Sequence, residues 1–183
     1  MKDSGLPYYL RAVEHLISLL LGTFVATLGL TLPGMVNMTA VSVSLKHGKG
    51  AGMQFTGGAA AATSIQASLA IFFAEYLRKN PSTVTLMQKS AVYIFVILAI
   101  GFFYKAYTGQ VAKPRKKRSK RKNLGFGFGL AMANGLAIPF FLAVSSWLIS
   151  HGHRVLGVLD IALFSIGAAF GATIVFAGYV RSA

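Results

Sequence analysis

The stretch from Leu16 to Leu45 holds no charged side chain across 30 residues. As one unbroken helix it would reach about 45 Å at ~1.5 Å per residue, whereas a bilayer's hydrocarbon core is roughly 30 Å thick. It is not unbroken. Within Gly29–Val41, reading GLTLPGMVNMTAV, Pro33 removes a backbone donor and crowds the preceding turn, and Gly34 can follow an irregular path. The spacing therefore predicts a helix that breaks at Pro33–Gly34, with Asn37 and Thr39 just beyond. In lipid such a break persists only where protein or a watery cavity satisfies the freed backbone groups. It is either a tolerated kink or a place where something small and polar binds.

Composition makes lipid the natural solvent. Only 12% of the 183 residues are charged and 55% are hydrophobic, against about 25% charged in an ordinary soluble domain. The fold class is all-α: one polytopic helical membrane domain over residues 1–183, without cysteine and so without disulfide or thiolate chemistry. Hydropathy divides it into five expected spans, at about 12–33, 51–77, 90–107, 123–149 and 156–180, with a basic loop at 109–122. The first follows Lys2 and Arg11 but is too long for a signal-peptide core, so it is expected to be retained. The third is weakest: its uncharged core, Ser90–Tyr104, is 15 residues, and Lys89 and Lys105 must snorkel for it to cross.

The fourth span repeats the opening anomaly. Asn123–Ser150 is uncharged for 28 residues and is interrupted by Asn134-Gly-Leu-Ala-Ile-Pro139. Paired interrupted helices at corresponding places are the best sequence pointer to a transporter's binding site. The candidate site is therefore Pro33, Gly34, Asn37, Thr39, Asn134, Gly135 and Pro139. A broken helix exposes N–H groups that favour a carboxylate and carbonyls that favour a cation. Asparagine can donate and accept at membrane depth without the cost of a buried ion.

The remaining polar residues have two readings each. Gln54 and Gln66 of the second span either line a pathway or hydrogen-bond between helices. Glu75 is a coupling candidate, though Arg78 and Lys79 beside it offer an interfacial ion pair instead; Asp160 near the start of the last span is similar. Small residues in Gly57–Ser64 and the Gly167/Gly171 pair are packing faces, where backbones can approach closely.

The formal charge is +14, and eight of those charges fall in Lys113–Lys122. That run lies between two spans and carries no aromatic residue. Anionic lipid headgroups are thus the expected partner rather than nucleic acid. With five spans, one side collects 12 Lys and Arg and the other 6, placing the basic loop in the cytoplasm and the amino terminus outside an inner (plasma) membrane. No metal site is expected, because His151 and His153 have no other ligand type nearby. Gly125–Gly129 lacks the strand and Gly-Lys-Ser/Thr of a phosphate loop. No nucleophile–base set appears, so neither an enzyme nor a cofactor is expected.

At these positions the chain resembles the lysine-exporter (LysE-type) translocators. The matching pieces are Leu32-Pro-Gly-Met-Val-Asn37, Gly48-Lys-Gly-Ala-Gly52 leading to Gly57, and Phe126-Gly-Phe-Gly-Leu-Ala-Met-Ala-Asn134 running on to Pro139-Phe-Phe. The resemblance implies a 3+3 inverted repeat, here with the sixth helix absent, and export of a small polar metabolite, such as an amino acid, by alternating access. It also implies Pro-Gly-Pro where Met35 now stands third, and Asn-Pro-Lys where Gly135 and Leu136 follow Asn134. These departures motivate a second reading, a non-transporting scaffold or assembly subunit that keeps the fold. A chain this short also leads us to expect a homodimer that encloses a pathway between two copies.

Overall fold

A computed structural model describes residues 8–80, 82–83, 96–97, 99–101, 103–104, 107, 120–151 and 157–183. All of its described elements are helices: α1 (Tyr8–Thr31), α2 (Met35–His47), α3 (Lys49–Lys79), α4 (Lys120–Met132), α5 (Ala137–Ser150) and α6 (Val158–Arg181). The chain divides into two compact units, residues 1–74 with 118–183, and residues 75–117. In the second unit Glu75 pairs with Arg78 at 2.7 Å and Lys79 at 3.4 Å. Most of the expected span at 90–107 and most of the basic loop at 109–122 lie outside the described residues. The rest concerns the first unit.

Among the described residues three helices are long and apolar enough to cross a membrane: α1 over Ala12–Thr31, α3 and α6. A fourth crossing arises if Lys122–Met132 and Ala137–Leu148, bent by 60°, count as one broken span. The packing is inside-out for water. On α1 the outward stripe is Leu16, Leu20, Phe24 and Leu28, while Ser18, Gly22 and Ala26 face inward. On α6 Ile166, Phe170 and Ile174 point out, and Ser165, Gly167, Ala168, Gly171 and Ala172 point in. Apolar tails outside and small or polar groups inside is the arrangement that lipid solvation favours.

Glycines set how closely the helices approach. A Cβ on Gly22 would collide with the Phe164 carbonyl, and one on Gly167 or Gly171 with the Leu19 or Thr23 carbonyl, so α1 and α6 touch backbone to backbone. Gly58 and Gly127 do the same for α3 and α4, against the carbonyls of Leu124 and Phe55. The order of contacts fixes direction. His15 meets Asp160 and Thr31 meets Tyr179, so α1 and α6 run the same way. Gln54 meets Asn123 and Gln66 meets Ala131, so α3 and α4 also run together. Ser68 against Ser165 and Gly52 against Val180 turn that pair opposite to α6. Two buried clusters share α3 and α6: one adds α2 and α4 around Phe55 and Phe176, the other adds α1 and α5 around Phe141 and Phe164.

Several helix limits differ from those read in the sequence. α1 stops at Thr31, because the residue before a proline is pushed out of the helical region. The residues after the break form a helix of their own, α2, closed at Gly48 with φ +88° and ψ 157°, where α3 starts at once. α4 begins at Lys120, inside the basic run, since Lys and Arg are good helix formers. The fourth expected span is two helices rather than one.

Candidate functional site

The first break is closed by one side chain. Pro33 ends α1 and leaves carbonyls of its last turn without helical donors. Asn37, only 2% exposed, donates its Nδ2 to the Leu30 carbonyl at 2.7 Å and the Leu32 carbonyl at 2.9 Å. Two acceptors converging on one nitrogen also settle which end of the amide faces them. Gly34 is the N-cap of α2 with φ −124° and ψ −179°, extended backbone that any residue adopts, and a Cβ there would have nothing nearer than 3.9 Å. Its glycine is therefore not needed for the irregular path expected of it. Thr39 turns its hydroxyl back onto the Met35 carbonyl at 2.7 Å and takes no further part.

The second break is built differently. α4 ends at Met132, and the turn through Asn134–Leu136 leads into α5. The Ala131 carbonyl accepts from the Asn134 N–H at 3.0 Å and from Gln66 Nε2 of α3, also at 3.0 Å. The Asn134 carbonyl takes the Ala137 N–H at 3.2 Å. Pro139 sits in the first turn of α5, where a missing N–H costs nothing. The side-chain amide of Asn134 makes no hydrogen bond among the described residues, and a Cβ on Gly135 would meet only open space.

The two breaks meet. A cavity of about 360 Å³ is lined by Gly29, Leu30, Leu32 and Gly34 of the first break and by Asn134, Leu136 and Ala137 of the second, with Met35, Val36 and Asn37 from the start of α2 and Phe140 and Phe141 from α5. Pro33, Thr39, Gly135 and Pro139 are not in its wall. Both half-helices α2 and α5 start there, and Gly34 offers α2 no side-chain cap. A helix start carries about half a positive charge on its free N–H groups. Two of them beside one cavity favour an anionic group, and among the described residues no ionisable side chain lines the wall. The Phe140 ring lies against Gly29, filling space that any larger residue would claim.

The other candidates fall elsewhere. Gln66 is 1% exposed and donates its Nε2 to the second break, which makes it a tie between α3 and α4. Gln54 accepts from Asn123 Nδ2 at 3.5 Å, at the other end of the α3–α4 contact. Asp160 is buried and pairs with His15 of α1 at 2.7 Å. The sequence gives no sign of that pair: its members are 145 residues apart, and only the parallel α1–α6 contact brings them together. Also missed was Asn123, whose Oδ1 is buried without a partner among the described residues.

Comparison with family models, with curated proteins and with solved structures finds no match to this chain. The resemblance to lysine-exporter translocators thus stands on the quoted motifs.

Proposed function

We propose that this chain is a secondary transporter of a small polar solute, working by alternating access with the two helix breaks as its binding place. The observation that carries the reading is the shared cavity. Two interruptions about 100 residues apart, each with an asparagine, open onto one space where two half-helices begin. Export of an amino acid is what the motif resemblance adds. The mixture of partial positive charge and apolar wall suits a carboxylate carrying a modest side chain.

Placement in the plasma membrane with the basic end in the cytoplasm is part of this reading. It is supported by the gathering of basic groups at one end of the bundle. Lys49 Nζ donates to the Arg181 carbonyl, and Lys120–Lys122 start α4 beside the beginning of α3. A further crossing at 90–107 also belongs to it. Its support is that α3 and α4 run the same way, which leaves the end of one and the start of the other at opposite ends of the bundle.

The test is efflux from proteoliposomes loaded with a panel of amino acids, comparing the wild type with Asn134→Ala. The expected result is saturable efflux of at least one solute, reduced at least tenfold in the variant. No efflux from folded protein across the panel would defeat the reading. A scaffold role is the competing account. It is favoured by Asn37, whose amide is spent on the backbone, and by Leu136, where the resemblance implies a lysine.

A further inference from the structure

Asp160 is the one ionisable side chain buried among the described residues. It lies in the first turn of α6, at the end of the bundle away from Lys49, Arg181 and Lys120–Lys122. His15 Nδ1 is 2.7 Å from its Oδ1, and the Ser18 hydroxyl, 3.4 Å from the same oxygen, also faces the Glu14 carbonyl at 3.1 Å. The carboxylate is 8% exposed and the imidazole 34%, so the carboxylate is the buried member of the pair and the ring reaches the surface of the bundle. With Nδ1 committed to Asp160, Nε2 has no hydrogen-bond partner among the described residues.

We propose that His15 and Asp160 form a proton-binding site whose occupancy decides whether α1 and α6 are held together at this end. The proton balance is simple. With a neutral ring, Nδ1–H donates to the carboxylate and the pair carries one negative charge at a helix–helix seam. Uptake of one proton at Nε2 gives an imidazolium–carboxylate pair of zero net charge, and its release restores the first state. A buried carboxylate is costly unless paired, so the protonated form favours the closed seam and the deprotonated form favours water entering it. An imidazole is the side chain that ordinarily exchanges its proton between about pH 5 and 8, and Asp/His chains within membrane proteins recur as proton relays.

Few other charges face the pair. Exposed Glu14 is its neighbour on α1. Between Asp160 and Arg181, α6 has no other charged residue, and α5 and the Gly50–Ala74 part of α3 have none. The Arg11 side chain and residues 152–156 lie outside the described ones. Resting on the transport reading, the site makes the proton the coupling ion and puts its entry at the end opposite Lys49, Arg181 and Lys120–Lys122.

The test uses the full chain in phosphatidylethanolamine–phosphatidylglycerol membranes. Thermal stability from pH 5 to 8 is expected to be higher on the acid side in the wild type. That dependence is expected to vanish in His15→Gln and in Asp160→Asn, and the double variant should add nothing further. A dependence that persists unchanged in either single variant overturns the proposal. Should a variant not fold, ¹⁵N-histidine NMR of the wild type decides instead: a His15 ring that titrates in this range supports the site, and a ring fixed in one state overturns it. For coupling, a pH difference across the membrane should drive solute accumulation in the wild type and at least tenfold less in Asp160→Asn. An equal response in both overturns coupling. If the wild type itself moves no solute, the transport reading has failed, and stability and titration alone decide the proton site.

Discussion

Asn37 and Asn134 stand at matching interruptions and are occupied in opposite ways. Asn37 is buried and gives both amide protons to the carbonyls that Pro33 leaves behind. Asn134 is half-buried, holds its turn with backbone groups, and leaves its side chain uncommitted beside the cavity. The first break is closed locally, within seven residues; the second borrows Gln66 from α3, 65 residues away. One asparagine makes a broken helix possible in lipid. The other is available for a ligand.

The contrast can be broken in a definite order. Asn37→Ala strips two carbonyls of their donor, and at about 1–3 kcal/mol for each unsatisfied group it should cost roughly 2–6 kcal/mol in denaturant or thermal unfolding in detergent. A loss no larger than that of Asn134→Ala would erase the distinction drawn here. Gln66→Leu comes next, at about 1–2 kcal/mol, because the Ala131 carbonyl keeps the Asn134 N–H. A loss as large as that of Asn37→Ala would mean that both breaks depend equally on a side chain.

Asn134→Ala should change stability by no more than about 0.5 kcal/mol while abolishing saturable solute binding by the folded protein. Unchanged binding would assign the uncommitted amide no ligand. Smallest of all should be Gly34→Ala and Gly135→Ala, each within about 0.5 kcal/mol of wild type, since neither has a positive φ nor a neighbour a methyl would strike. A large loss at either would show that the breaks need glycine after all.

That last pair marks where reading the sequence was reliable and where it was not. Pro33 and the Asn134–Pro139 run were legible as breaks because proline removes a donor and 30 or 28 uncharged residues overfill a bilayer. Their meeting at one cavity was legible only as an analogy between two positions. Gly34 was credited with conformational freedom that its extended backbone does not use. Gln66 kept two readings because a polar residue in a transmembrane helix looks the same whether it faces water or a carbonyl. The size of the bend between α4 and α5, 60°, and the His15–Asp160 pair had no local signature. Each follows from which helix lies beside which, and residue types in one chain do not encode that directly.

The backbone contacts at Gly22, Gly58, Gly127, Gly167 and Gly171 invert the usual map of mutational tolerance. In a water-soluble core, damage comes from trimming large side chains and leaving cavities. Here the large side chains at Leu20, Phe24, Phe170 and Ile174 point outward from the bundle, and lipid tails around it would flow into whatever space a smaller residue leaves. The fragile positions are the smallest ones, where a single added methyl forces two helices apart along their whole contact. A deep substitution scan of this chain would find its deleterious changes at these glycines on the side of growth, and its outward Leu20, Phe24, Phe170 and Ile174 freely exchangeable, unlike the buried Phe164 and Phe176.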